Sequence, residues 1–405
     1  MRSKTHTPPD ILNVLRVLAT FFVFLLHGRQ FIGGNDEYDK LIEYGDPLAN
    51  LIIFFTKTPA WAGVWIFVFI SSYLMGIAFI TKRYDIFTDL SEETISIKKI
   101  FKFYIKRFLK LAPIYYLYFF AFEFFSNSAY FGKHPLETLR VLAFMYNDGG
   151  EIVGVGHLWY LSLAMQIYLI IPFIYLLFRK IGKGSRRTVN TYVRFYIIFL
   201  VFGLLVRLIL SQYDLDWYTW VYSFIGSNLD LVICGILLAF VKCQGDHTVN
   251  SKRTYGIMIN IQFIMLFVYN CYVYNSPIYE DMFIYQYVLP TLYIISCSLL
   301  IFRYHDPRHN YRADAVRDWK YPIRHFIDWF ASYSFAFYVL HIRSFMYFSL
   351  TFGTMPAYLE KGLLWRYIFF YAATFLSTLF GAVILQYAVD GVTSGIKNAY
   401  RLMKT

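Results

Sequence analysis

The stretch I-L-N-V-L-R-V-L-A-T-F-F-V-F-L-L-H, residues 11–27, decides the fold. It is apolar apart from Asn13, Arg16, Thr20 and His27, and no proline or glycine interrupts it. Carried on to about residue 30 it gives the roughly 20 residues that a helix needs to cross ~30 Å of hydrocarbon. A cation inside such a run is costly and marks a functional position by default. Arg16 and His27 stand eleven residues apart. On a helix that spacing is a rise of about 16 Å and an angular offset of only about 20°. Both side chains therefore face one way, the guanidinium low and the imidazole high. The plainer alternative is that Arg16 snorkels to the interface and His27 merely ends the helix.

Working outward, nine more stretches have the same character: roughly 60–81, 108–126, 158–178, 195–212, 218–241, 255–275, 283–302, 328–350 and 364–388. Pro113 and Pro172 fall inside two of them, which membrane helices tolerate. The composition agrees. Only 16% of the 405 residues are charged and 58% are apolar, whereas a soluble chain carries about 25% charged residues. Disorder needs low hydrophobicity, and a disulfide scaffold needs more than four cysteines. Cys234, Cys243, Cys271 and Cys297 lie in spans or at span ends and are expected to be free thiols. The expected fold is all-α: a polytopic membrane bundle of about ten transmembrane helices over residues 1–405, without a separate soluble domain or a cleavable leader. The 21% aromatic share exceeds what spans and interfaces need.

The net charge of +12 sorts by side. Loops on the side of the N-terminus hold 27 Lys and Arg, the opposite loops hold 7, and the alternation has no exception. Cytoplasmic loops carry the excess of positive charge, so both termini are expected in the cytoplasm. The first external loop is acidic, with Asp36, Glu37, Asp39, Glu43 and Asp46. The basic balance thus reflects topology, and nucleic acid is excluded as a partner.

Other ionisable groups cluster in or beside the spans. Lys102, Lys106, Arg107 and Lys110 stand at the cytoplasmic mouth of the third span, before Pro113. Such a group can hold phosphates through charge-assisted bonds, although basic residues flank spans generally. G-H-L-W-Y-L-S, residues 156–162, opens the fourth span from outside. It places His157 at the depth of His27, with Trp159 and Tyr160 as interfacial aromatics or acceptor contacts. The ninth span carries S-Y-S-F-A-F-Y-V-L-H-I-R, residues 332–343, in which His341 and Arg343 point to different helix faces. Asp230 is expected to pair with a buried arginine such as Arg16 or Arg343. Arg207, near an external end, is expected to snorkel. No metal site is expected, because no helix carries histidines at ligand spacing. The pattern suits a transporter or an intramembrane enzyme.

Taken in order, these motifs resemble the acyltransferase-3 family of integral membrane O-acyltransferases. The resemblance rests on R-x10-H in the first span, the basic cluster before Pro113, G-H-L-W-Y-L-S, and S-Y-S-F-A-F-Y-V-L-H. It is joined by V-W-I-F-V-F-I-S-S-Y-L-M-G at 64–76 and L-D-L-V-I-C-G-I-L-L-A at 229–239, and it covers about residues 10–390. Two departures stand out. The frequent S-G-F is S-S-Y at Ser71, Ser72 and Tyr73, and Ala164 occupies the place of a glutamate found in many members. The resemblance implies transfer of an acyl group, acetyl most often, from cytoplasmic acyl-CoA to a hydroxyl of an extracytoplasmic or lipid-linked glycan. Arg16 and His27 match the family's catalytic pair, and Arg107 and Lys110 match its acyl-CoA stretch.

The expected mechanism places acyl-CoA phosphates near Lys106, Arg107 and Lys110. His27 acts as general base or carries the acyl group. His157, Trp159, Tyr160, Asp230, His341 and Arg343 are accessory or acceptor candidates. The expected setting is a bacterial plasma membrane, with a partner protein completing the transfer if this chain does not do so itself. The rival expectation is an exporter or flippase of a glycan or lipid-linked sugar.

Overall fold

The computed structural model describes residues 10–32, 47–56, 60–88, 94–147, 155–183, 188–244, 253–276, 278, 282–307, 321–352 and 363–402. The long helices are α1 (Ile11–Ile32), α3 (Ala60–Ile80), α4 (Ile97–Tyr118), α7 (Trp159–Lys183), α8 (Thr188–Leu210), α9 (Leu229–Gln244), α10 (Arg253–Asn275), α11 (Leu289–Tyr304), α12 (Tyr321–Phe352) and α13 (Leu363–Leu402). Among the described residues three short α-helices accompany them: α2 (Pro47–Thr56), α5 (Ser128–Lys133) and α6 (Pro135–Leu142). Among the described residues the only strand pairing is a single bridge, Phe87 to Ile95.

Eight described helical segments are long and apolar enough to cross a membrane. The two long helices outside that set are α4 and α12. Both lose apolarity to the residues that interest us: the lysines before Lys110 on α4, and His341 and Arg343 on α12. The basic stretch 98–107, which reads as loop, is helical. Ser96 caps it, its hydroxyl accepting from Lys99 N at 3.4 Å. Three spans begin or end on π-turns, Phe119–Phe124, Tyr218–Tyr222 and Ile284–Val288. Wider turns of this kind interrupt helices often at functional sites.

Contacts between helix ends sort into two layers. In one, Asn13 donates to Asp328 (2.7 Å), His305 meets Asp10 (3.5 Å), Tyr304 donates to Gly256 O (3.2 Å) and Lys242 to Phe302 O (3.0 Å). In the other, Tyr371 donates to Leu25 O (2.8 Å), Trp217 to Gln286 O (3.2 Å) and Arg343 to Ser126 (3.4 Å). Every residue of the first layer belongs to the basic side of the loop count, and every residue of the second to the other side.

Helices α3 and α9 lie at the centre: 72% and 83% of their spans are buried, against 11% for α8. Both are apolar over most of every face, as a core position demands, with Asp230 and Lys242 near the two ends of α9. They approach closely because glycines face the contact. A Cβ on Gly76 would sit 2.7 Å from the Ala239 side chain, and one on Gly235 would sit 2.8 Å from Phe69 O. Small residues allow such approach where lipid offers no hydrophobic drive.

The aromatic excess has its account here. Phe21 and Phe24 of α1, Phe330, Phe337 and Phe345 of α12, and Phe375 of α13 form one ring cluster with centroids 4.7–5.7 Å apart. Each such pair adds about 0.5–1.5 kcal/mol beyond burial. This cluster holds the face of α1 against α12, the juxtaposition on which the site depends. None of the four cysteines forms a disulfide.

Candidate active site

Arg16 lies in a cavity of about 270 Å³ between α1, α3, α4, α7 and α12. Lys110, Ser71, Tyr160, Ala164, Tyr168, Ser334 and Tyr338 also line it. The guanidinium donates to Asn13 Oδ1 at 3.1 Å. Lys110 reaches the same cavity while remaining exposed, so the cavity opens beside it. Of the departures noted in the sequence, Ala164 falls on this lining, while Ser72 and Tyr73 do not; Ser71, which lines it, is the serine that S-S-Y shares with S-G-F.

Below it lies a second cavity, of about 220 Å³, on the basic side. Lys82, Arg83, Lys99, Lys102 and Lys106 surround it, with Asp85 as the acid. Lys82 is in the left-handed region (φ 58°), and Tyr84 N donates back to Ala78 O at 3.0 Å, which turns the chain out of α3. The Lys99 ammonium bonds Asp85 at 2.5 Å and also the Phe87 carbonyl. That hydrogen bond holds the Asp85 carboxyl below the usual carboxylate range. Arg107 links the two cavities. It is buried, donates to the Tyr84 hydroxyl, and faces the Tyr168 ring at 5.6 Å. The three cations expected to act together thus stand at successive levels: Lys106 in the lower cavity, Arg107 between, Lys110 in the upper.

At the other end of α1, His27 meets His341, ring centroids 5.1 Å apart. His157 completes the group, 5.4 Å from His341. Three histidines on three separate segments therefore converge. Backbone carbonyls fix two of the tautomers. A carbonyl only accepts, so His157 donates from Nε2 to Val339 O (2.9 Å) and His341 from Nδ1 to Tyr338 O. The Tyr338 hydroxyl in turn donates to His157 O. The remaining nitrogens, His157 Nδ1 and His341 Nε2, are buried lone pairs with no hydrogen-bond partner. Among the described residues no group of acids, histidines and cysteines is arranged to hold a metal.

Glu123, a lone acid in the F-F-A-F-E-F run of the first π-turn, was not singled out from the sequence. It is fully buried, accepts from the Tyr118 hydroxyl at 2.7 Å, and lies 3.9 Å from Arg343. The Tyr118 ring stands edge-on to His157 at 5.6 Å. Arg343 and His341 do point to different faces, the first to Glu123 and Ser126, the second to His27. The signal for Glu123 was present: a carboxyl among phenylalanines is as exceptional as an arginine there.

Two expectations need correction. Arg207 does not snorkel. It is 1% exposed and pairs with Asp230 through two bonds, at 2.6 and 3.0 Å. It also donates to Ser227 O, Tyr287 O and Thr291. Asp230 therefore finds neither Arg16 nor Arg343, and it stands away from both cavities and the histidines. An added Cβ on Gly203 would fall 2.2–2.4 Å from the Asp230 side chain, so α8 comes this close only with glycine there. Trp159 and Tyr160 are both buried and part company. Tyr160 lines the Arg16 cavity, while Trp159 packs on Tyr218 (5.7 Å) and Tyr222 (4.8 Å) in an aromatic cluster with Trp61 and Trp217.

A family model, acyltransferase 3, described as an acyltransferase domain, matches residues 10–387. No curated protein and no solved structure matches the chain. The chain belongs to the acyltransferase-3 family: it is a multi-pass membrane acyltransferase, and the exporter reading is set aside.

Proposed function

We propose that this acyltransferase takes an acyl group, acetyl in the simplest case, from coenzyme A on the basic side of the bundle and delivers it to a hydroxyl of an extracytoplasmic or lipid-linked glycan on the other side, in a bacterial plasma membrane. One observation carries the reading: a single helix ties Arg16 in a cation-lined cavity to His27 in the histidine cluster. The lower cavity, with its five cations, suits the phosphates and nucleotide of the donor. Arg107 and Lys110 continue the positive path upward. The pantetheine arm would run past Arg16 and Tyr160 toward Tyr338, covering the rise of about 16 Å between Arg16 and His27.

In the transfer, His27 takes the proton of the acceptor hydroxyl. The oxygen attacks the thioester carbon, the C–O bond forms and the C–S bond breaks. The electron pair leaves on sulfur, and the thiolate takes up the proton, giving free coenzyme A. Imidazole titrates near working pH and suits both halves of that exchange.

The test is His27→Ala in a membrane-inserted, purified chain. Acyl transfer to the glycan should fall by about 10³-fold or more, with acyl-CoA binding retained within threefold. Unchanged glycan acylation by that variant, read by mass spectrometry of the surface glycan, overturns the reading.

A further inference from the structure

We propose that His341 is a second catalytic residue: the proton acceptor that works directly behind His27. The inference rests on the reading of His27 as the base and adds the group that base needs. A lone imidazole in a buried site must hold the whole positive charge when it takes a proton. The usual remedy is a third group on the far ring nitrogen. His341 occupies that place. Its ring centroid lies 5.1 Å from that of His27, with the ring planes 50° apart; no bond joins the two rings at rest, and a small rotation of either brings one N–H···N bond within reach.

The tautomer decides the direction. The Tyr338 carbonyl fixes the proton of His341 on Nδ1, so Nε2 presents a lone pair and nothing else. That lone pair is buried, with the residue 1% exposed, and has no partner. A buried acceptor without a donor costs about 1–3 kcal/mol, which a donor brought to it during the reaction would relieve. The groups facing His341 are His27, His157, Tyr338 and Phe345. His157 cannot donate, because its own proton is committed to Val339 O. The Tyr338 hydroxyl is committed to His157 O. The proposed relay therefore draws the N–H for His341 from His27, the third ring of the group.

The step balances as follows. The hydroxyl O–H bond breaks and its proton goes to the substrate-facing nitrogen of His27. The N–H on the other His27 nitrogen passes to His341 Nε2. The positive charge comes to rest on His341, whose Nδ1–H bond to the Tyr338 carbonyl strengthens as the ring becomes cationic. As the C–S bond breaks, the relay runs backward and the proton ends on the thiolate sulfur.

The experiment uses the full-length chain in detergent, with acetyl-CoA as donor and the acylated glycan as product. His341→Ala should lower kcat by about 10²-fold or more while leaving the donor KM within threefold. Imidazole added to the buffer should restore turnover, since a small base can occupy the vacated space. If His341→Ala fails to bind acetyl-CoA, His341→Gln is read by the same kcat and KM criteria. Turnover within threefold of wild type in a donor-binding variant overturns the proposal. So does a loss in His341→Ala that imidazole leaves untouched while donor binding is intact. An inactive His27→Ala beside an active His341→Ala sinks the relay and spares the broader reading. A wild-type chain that takes no acyl group from acetyl-CoA sinks both.

Discussion

Two buried polar clusters sit in the same bundle and could hardly be more different. Around Arg207 and Asp230 the guanidinium finds a bidentate carboxylate, two backbone carbonyls and a threonine hydroxyl. Around His27, His157 and His341, two imidazole nitrogens have no partner at all. Burial is comparable, so the contrast does not lie in solvent. A group that folding needs is satisfied by folding. A group kept unsatisfied in a low-dielectric interior is costly, and in the proposed relay a donor that arrives during the reaction relieves that cost. The arginine–aspartate cluster therefore reads as architecture and the histidine cluster as chemistry.

The largest expected effect comes from breaking the satisfied cluster. Asp230→Ala strands a buried guanidinium and should cost about 3–5 kcal/mol of stability. It should appear as lost folded protein in thermal unfolding monitored in detergent. The surviving folded fraction should turn over at the wild-type rate per molecule. Replacing both partners, Arg207→Met with Asp230→Leu, should recover most of that stability, because apolar pairs of similar volume often match buried ion pairs. A double variant as unstable as the single one would assign the cluster more than architecture.

The opposite behaviour is expected at the unsatisfied cluster. His157→Leu removes the idle Nδ1 lone pair together with one hydrogen bond, from Nε2 to Val339 O. Unfolding should shift by about 1–2 kcal/mol, while turnover falls on the order of 10²-fold. A destabilisation as large as that of Asp230→Ala, with activity per folded molecule intact, would erase the contrast. A smaller effect is expected at the solvent end. Lys102→Glu with Lys106→Glu reverses charge in the lower cavity. It should raise the donor KM by about tenfold, with kcat unchanged, and added salt should shrink the difference because exposed charges are screened over about 10 Å. A donor KM indifferent to that change would detach the cavity from the donor.

The bundle was largely legible from the chain because each span carries its own signal in length and apolarity. The shared face of Arg16 and His27 was legible for the same reason: both lie on one helix, and 3.6 residues per turn fixes their phase. The convergence of His157 with His341 was not, since it depends on how segments 184 residues apart pack. Arg207 was misread because its place near a helix end suggested water, whereas α9 and the π-turn before α11 close over it. Glu123 is exceptional among its phenylalanines, but its partner Arg343 stands on a distant segment that the local sequence does not reveal. The basic start of α4 read as loop because its charges mask a helical period that Ser96 begins.

Helix α1 also sets a timing between two faces of the membrane. It has no proline and no π-turn among its residues Ile11–Ile32, so it transmits rotation as a rigid rod. One residue inserted between Arg16 and His27 would swing the imidazole about 100° away from α12. Four would bring the phase back to within about 40° but lift the imidazole some 6 Å above His341. No insertion restores both angle and height, so under the proposed reaction the interval of eleven residues would work as a gauge length that the donor's arm must match.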